Sequence, residues 1–131
     1  MNKLHKVKKL CTALSIVGAL IISSDPASAH TELIKSSPKA DKTISVMPTS
    51  VKLTFGEELL VISGSNKQSN SITVKSPSGT TVSTGKVQVN KNIATVNLLK
   101  LQDSGKYQVA FRVVAKDGHV FKGLFKFEFR K

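Results

Sequence analysis

The sequence predicts an all-β fold, a Greek-key β-sandwich or barrel of about seven strands. Apolar and polar residues alternate along most of the chain after residue 50, and no window keeps a helical period. Turn-forming residues separate the alternating segments: Ser37-Pro38, Met47-Pro48, Gly64-Ser65-Asn66, Ser76-Pro77-Ser78-Gly79 and Asp103-Ser104-Gly105. Many short strands with frequent turns in about 100 residues are typical of a sandwich.

Six segments alternate clearly enough to be predicted as strands. In the first, Val51, Leu53 and Phe55 alternate with Lys52 and Thr54. The six segments are 51–55, 72–74, 87–89, 94–96, 107–113 and 121–129. A turn at 90–92 joins the third to the fourth, and the last should place four phenylalanines on one face: Phe121, Phe125, Phe127 and Phe129.

One local run tests an immunoglobulin-like interpretation of this sandwich. Residues 101–107 resemble the corner before the sixth strand of immunoglobulin domains, where a tyrosine hydroxyl bonds back to the turn. The cysteine expected two residues after Tyr107 is Val109, and the chain has no tryptophan. We therefore expect Tyr107 to form a structural corner, which by itself does not indicate immunoglobulin function.

Residues 1–29 are predicted to be a secretory signal peptide that is removed. Four lysines precede an apolar run from Leu10 to Ile22, and Ala27 and Ala29 stand at the positions that a signal peptidase reads. The run is shorter than the roughly 20 residues that span a bilayer. Residues 30–131 are then one domain in the periplasm or at the extracytoplasmic cell surface. Since the lone cysteine is Cys11, no disulfide can form in it.

The charge balance is strongly basic. The chain has 20 lysines and arginines against 8 acidic residues, a formal net charge of +12. Export argues against nucleic acid as a partner, so attraction to anionic lipid or to an anionic cell-wall polymer is the more plausible consequence. The alternative is that the dispersed lysines simply form the solvated faces of strands.

Two histidines remain after residue 29, and they predict a metal site. Cleavage after Ala29 would make His30 the N-terminus, with a free amine and an imidazole on one residue. With His119 and Asp117 the donor set is three nitrogens and one oxygen, which favours Cu(II) in a tetragonal site. If 117–119 is extended, both side chains project to one side. However, Asp117-Gly118 is also a common hairpin turn, in which Asp117 serves the turn and His119 is solvated.

From His30 onward the chain resembles the CopC family of exported copper-binding proteins, which are small cupredoxin-like β-barrels or sandwiches. Residues 30–38, HTELIKSSP, resemble the family opening H-x-x-L-x-x-S-x-P, and residues 51–57, VKLTFGE, resemble L-x-F-S-E. Residues 107–119, YQVAFRVVAKDGH, resemble Y-x-V-x-W-R-V-V-S-x-D-G-H. Gly123 and the phenylalanine-rich last strand complete the resemblance, whereas 60–100 matches only in pattern.

The resemblance implies one Cu(II) per chain, held by His30 through amine and ring, by Asp117 and by His119. Glu57 would lie nearby, and Glu58 could take its place. The chain departs from the family pattern at three positions, with Phe111 for tryptophan, Gly56 for serine and Val120 for proline. Met47 is the only methionine after residue 29, so we expect no separate site for Cu(I), which requires several soft thioethers.

The predicted function is therefore copper trafficking, uptake or resistance, without enzymatic activity, and the resemblance suggests a CopD-type membrane copper transporter as partner. One alternative is a metal-free, cationic, immunoglobulin-like binding or adhesion module. Another is a copper oxidase of the histidine-brace kind, such as a lytic polysaccharide monooxygenase. The sequence contains no G-x-S-x-G, H-E-x-x-H or glycine-rich phosphate loop.

Overall fold

Eight strands form two four-stranded sheets that pack face to face. The computed structural model describes residues 32–62 and 68–131. The strands are β1 (Leu33–Ser37), β2 (Thr43–Ile44), β3 (Ser50–Phe55), β4 (Ser71–Lys75), β5 (Ser83–Asn90), β6 (Ile93–Leu98), β7 (Gly105–Val114) and β8 (Val120–Phe129). The predicted all-β sandwich is confirmed, and within the described ranges neither sheet closes into a barrel.

The chain crosses repeatedly between the two sheets. The first sheet has the order β1-β3-β6-β5 and the second the order β2-β8-β7-β4. All neighbours are antiparallel except β2, which runs parallel to β8. The long β7–β8 hairpin forms the centre of the second sheet, and the turn at its end carries Asp117 and His119.

The core lies between the sheets and consists of the inward residues of each alternating segment. In β3, Val51, Leu53 and Phe55 are buried while Lys52 is exposed. The four phenylalanines of β8 also face inward as predicted, since Phe127 and Phe129 are buried and the other two pack against the core half-buried. Burying such side chains is the dominant favourable contribution to folding in a domain that has no disulfide.

Tyr107 forms the predicted corner. Its hydroxyl donates a hydrogen bond to the Asp103 carbonyl at 2.7 Å, and its ring stacks on Phe127 with centroids 5.4 Å apart. The side chain is fully buried, and this burial raises the pKa of the phenol above its ordinary value. The residue therefore ties the loop before β7 to the core.

Replacing Tyr107 by phenylalanine should lower the free energy of unfolding by about 1 kcal/mol, because one buried hydrogen bond is lost while the ring packing is kept. Urea unfolding followed by circular dichroism measures this difference. A loss below about 0.3 kcal/mol would show that the hydroxyl contributes no net stability in this corner.

Two of the eight strands, β1 and β2, lie outside the six segments predicted from alternation. β1 was recognised only as part of a motif, because Leu33 and Ile34 are adjacent apolar residues and break the alternation. β2 consists of Thr43 and Ile44 alone, which is too short for any periodicity. The eight strands agree with the predicted number of about seven, and hydrogen bonding to a neighbour defines these two strands where their own sequence does not.

Some sequence predictions fall on residues outside the described ranges. These are the signal peptide at 1–29, the N-terminal His30 and the turn at 64–66. Within 32–62 and 68–131, no helix is long and apolar enough to cross a membrane.

Candidate metal centre

The turn at 115–119 joins β7 to β8 and carries both predicted ligands that the structure describes. Ala115 N–H donates to the His119 carbonyl at 2.8 Å, and Gly118 N–H donates to the Ala115 carbonyl at 2.9 Å. Gly118 has φ of 93°, a conformation that residues with a Cβ rarely adopt. The stretch is therefore a tight hairpin turn, which is the alternative that the Asp-Gly pair indicated, and not an extended segment.

The turn nevertheless brings Asp117 and His119 together. The carboxylate Oδ1 of Asp117 accepts the backbone N–H of His119 at 3.0 Å, and Oδ2 lies 2.6 Å from His119 Nδ1. Both side chains are open to solvent, with 70% of the histidine and 50% of the aspartate side chain exposed. The turn role and the ligand role of Asp117 are thus compatible, because the turn itself pairs the two donors.

The contact between Asp117 and His119 shifts the pKa of both side chains. The hydrogen bond from Asp117, and then its charge, raises the pKa of His119. Hydrogen bonds from the His119 backbone and ring lower the pKa of Asp117. Since the folded-state pKa of His119 is raised, its contribution to stability is full below the ordinary value of 6.5 and is lost as pH rises through the raised value.

Removing the negative charge of Asp117 should reverse the rise in the pKa of His119. In metal-free protein, Asp117→Asn should return the pKa of His119 toward 6.5. Glu57→Gln should lower it by a smaller amount, and Glu58→Gln serves as the control that leaves it unchanged. NMR titration of the imidazole protons measures all three variants. An unchanged pKa in the Asp117 variant would mean that the pair does not form in solution.

The segment after β3 runs alongside the turn and gives the two glutamates different partners. Glu58 bonds through its backbone carbonyl to Lys116 N–H at 2.9 Å, and its carboxylate forms an ion pair with the Lys116 ammonium, which lowers the pKa of Glu58. Glu57 is exposed, and its charge contributes to the raised pKa of His119. Glu57 is therefore the carboxylate that acts electrostatically on the candidate site.

A buried asparagine holds this arrangement in place. Asn70, only 6% exposed, donates through Nδ2 to the Leu60 carbonyl at 2.7 Å and accepts the Val114 N–H at 2.9 Å. It thereby joins the segment after β3 to the end of β7, next to the turn. Sequence reasoning missed this residue, because an asparagine just before a strand is indistinguishable from an ordinary turn residue.

The start of the described chain lies beside the same segment. The Glu32 carbonyl accepts the backbone N–H of Gly56 at 3.1 Å, one residue before Glu57. A Cβ on Gly56 would meet only ordinary contacts, the nearest being Ile34 Cδ1 at 3.8 Å, so glycine instead of serine does not reshape the backbone here.

The other departures from the family pattern concern packing. Phe111 contacts Phe55 edge-to-face at a centroid distance of 5.5 Å, and it lies over Gly123, where a Cβ would come within 2.3 Å of its ring. Val120 is half-exposed and pairs with Val114 as the first residue of β8. Met47 packs against the core.

The described residues hold only part of the predicted ligand set. Within 32–62 and 68–131, no three side chains of histidine, cysteine, aspartate or glutamate come together as a metal-binding group. Asp117 and His119 are paired, the charge of Glu57 contributes to the raised pKa of His119, and His30 lies outside the described residues.

Comparisons with known proteins point to one family. The CopC domain profile matches residues 33–130. CopC from Methylosinus trichosporium OB3b is similar in structure, with 28% identity and a TM-score of 0.60, covering 76% of this chain and 93% of that protein. PcoC, a methionine-rich copper resistance protein from Escherichia coli, is similar at 25% identity and a TM-score of 0.61, covering 78% of this chain and 100% of that one. Among curated protein sequences no match is found.

Proposed function

Because the chain belongs to the CopC family, we propose that it is an exported carrier that binds one Cu(II) through His30, Asp117 and His119. It would act in copper trafficking, uptake or resistance as the domain 30–131. The observation that carries this proposal is the pairing of Asp117 Oδ2 with His119 Nδ1 on an exposed turn.

The spacing of this pair suits two neighbouring positions on one metal ion. Nitrogen and oxygen ligands lie about 2.0–2.1 Å from a metal of this kind, so two at right angles are roughly 2.8–2.9 Å apart. The observed separation of 2.6 Å needs to open by only a few tenths of an ångström. An ion bonded to both atoms would lie off the line that joins them, so the exposed side chains of Asp117 and His119 would have to turn slightly for Cu(II) to displace the proton that they share.

His30 completes the set in this proposal. It precedes Glu32 by two residues, and two residues span at most about 7 Å. Glu32 is hydrogen-bonded to Gly56, next to the glutamate whose charge reaches His119. This chain of contacts supports an N-terminus within reach of the turn. Glu57 would then add negative charge near the ion, and Glu58 would stay paired with Lys116.

The donor chemistry favours Cu(II) over competing ions. Nitrogen-rich sites bind copper more tightly than nickel, cobalt or zinc. After residue 29 the chain has no cysteine, and its one methionine, Met47, is half-buried against the core, whereas Cu(I) requires several soft thioethers. Reduction of the bound Cu(II) to Cu(I) by an external reductant should therefore weaken binding. This suits a carrier that takes up Cu(II) and, once the ion is reduced, releases it to a CopD-type membrane transporter.

Copper binding should release protons and weaken at acid pH. A terminal amine has an ordinary pKa of about 7.7–8.0 and must be deprotonated to bind. The proton between Asp117 and His119 must leave as well. Titrating Cu(II) into protein that begins at His30, with EPR and proton release as readouts, should give one-to-one binding and a nitrogen-rich tetragonal signal. Binding that does not depend on pH between 5 and 8 would contradict this ligand set.

The enzyme alternative has little support in this fold. An enzyme that oxidises polysaccharides needs exposed aromatic rings to stack on sugars. The only tyrosine, Tyr107, is fully buried in the core, and the chain has no tryptophan. We therefore expect no turnover of chitin or cellulose by the copper-loaded protein with reductant and peroxide. Release of oxidised sugars would overturn this assignment.

A further inference from the structure

The outward face of the second sheet is organised in rows that run across β4, β7 and β8. One row is Lys75, Gln108 and Lys126, and another is Ser71, Arg112 and Lys122. Between these two lies a row of Thr73, Ala110 and Leu124. Since residues two apart in a strand are separated by about 6.7 Å, the two basic rows lie roughly 13 Å apart.

Positive charge on this face is only partly compensated, because its one acidic residue, Glu128, lies opposite Lys106 at one end of the face. Arg112 and Lys122 stand directly opposite each other, a like-charge arrangement that destabilises a strand pair. Lys75, Lys106 and Lys126 together line one surface depression, which has no acidic residue in its wall. Among the described residues, none of these five cations has an ion-pair partner, and the one acidic residue of the face, Glu128, is bound to Arg130. An external anionic surface would relieve this repulsion.

The middle of the face is apolar and protrudes. Leu124 is 60% exposed, and its cross-strand partner is the small Ala110, so the leucine stands above its surroundings. Val120, half-exposed on the same side of β8, lies beyond the row of Arg112 and Lys122 and next to His119. The face is thus an open sheet surface on which Leu124 protrudes between two basic rows.

We propose that this face docks on an anionic phospholipid bilayer, with the basic rows on the headgroup phosphates and Leu124 in the interfacial region. A sheet face whose cations are spread over rows suits a continuous charged surface. A second copy of the same face is excluded by repulsion of its own charges. The docked face ends at Val120, so the turn with Asp117 and His119 would lie at the edge of the bilayer contact. Docking itself does not require copper.

The test is partitioning of metal-free protein onto vesicles. The chain from His30 onward contains every described strand and omits the apolar segment at 10–22, which would bind lipid by itself. Vesicles of phosphatidylcholine with 30% phosphatidylglycerol are compared with pure phosphatidylcholine at low and high salt. Binding should require the anionic lipid and fall with salt, because the interaction between charges is screened.

Two pairs of lysines give a matched comparison. Each basic residue near such a surface contributes about fivefold in partitioning, so Lys122→Gln with Lys126→Gln should weaken binding about 25-fold. The control, Lys35→Gln with Lys52→Gln, removes the same charge from the outward face of the first sheet and should cost less than about threefold. Leu124→Ser should weaken binding about fivefold through lost apolar contact.

Equal losses from the two lysine pairs would overturn the proposal, because net charge alone would then explain binding. Absence of binding to anionic vesicles at low salt would also overturn it and would turn the search to an acidic protein partner. Measuring copper affinity in the same variants distinguishes failure of this proposal from failure of the proposed function. The lysine and leucine variants should keep their copper affinity, and His119→Ala should lose copper affinity while still binding vesicles.

Discussion

Replacing His119 by alanine is expected to lower the affinity for Cu(II) by more than about 100-fold. Loss of a group that only orients a ligand costs about 10–100-fold, and loss of the ligand itself should cost more. The side chain is 70% exposed, so the free energy of unfolding should change by less than about 0.5 kcal/mol. The measurement is competition against a chelator of known affinity, with folding checked by circular dichroism.

Two neighbouring variants make this result specific. Asp117→Asn keeps the size of the side chain and should lower affinity about 10–100-fold, since it replaces the charged carboxylate beside His119 Nδ1 with a neutral amide, a weaker ligand. Glu58→Gln removes a carboxylate from the same region, but that carboxylate is paired with Lys116, so affinity should stay within about threefold. If all three variants bind copper as tightly as the parent, the turn is not the metal site.

Replacing Asn70 by alanine is expected to lower the free energy of unfolding by about 2–5 kcal/mol. The side chain satisfies the buried Val114 N–H and the part-buried Leu60 carbonyl, and removing it leaves the first without a partner at about 1–3 kcal/mol and the second at about 1–2 kcal/mol. Such a loss is a large part of the total stability of a domain of this size, which is about 5–15 kcal/mol. Urea unfolding, followed by circular dichroism, measures it.

Asn97 offers a matched control for Asn70. It lies exposed on β6, so Asn97→Ala should change stability by less than about 0.5 kcal/mol. Because Asn70 joins Leu60 to the end of β7, its loss should also loosen Glu57 and Glu58 against the turn. Equal effects of the two substitutions would show that the asparagine bridge adds no stability to the fold.

The sequence predicted the strands that have one face in the core and one in water. Val51, Leu53 and Phe55 could be assigned from alternation alone, because burial of one face requires that pattern. The two missed strands have no such pattern. β2 depends on pairing with Glu128 and Phe129, more than eighty residues further along the chain, and only the assembled sheet shows this contact.

The candidate site was predictable to a similar extent. The Asp117–His119 pair could be inferred from two residues with metal-binding chemistry on either side of a glycine, although whether they formed a turn had to be left open. The role of Asn70 could not be inferred from the sequence, because its two hydrogen-bond partners are ten and forty-four residues away. Likewise, the sequence does not show that Glu58, and not Glu57, pairs with Lys116. That pairing follows from the β-bridge between Leu59 and Ala115, which places Glu58 beside Lys116.

The central claim is that the amine of His30 is a copper ligand, and adding one alanine before it tests this most directly. The extension turns the amine into an amide, a poor ligand unless it is ionised, while Asp117 and His119 stay unchanged. We predict tight one-to-one Cu(II) binding by protein that begins at His30, and a much weaker affinity with an altered EPR signal in the extended form. Equal affinity and identical spectra for the two proteins would contradict the account.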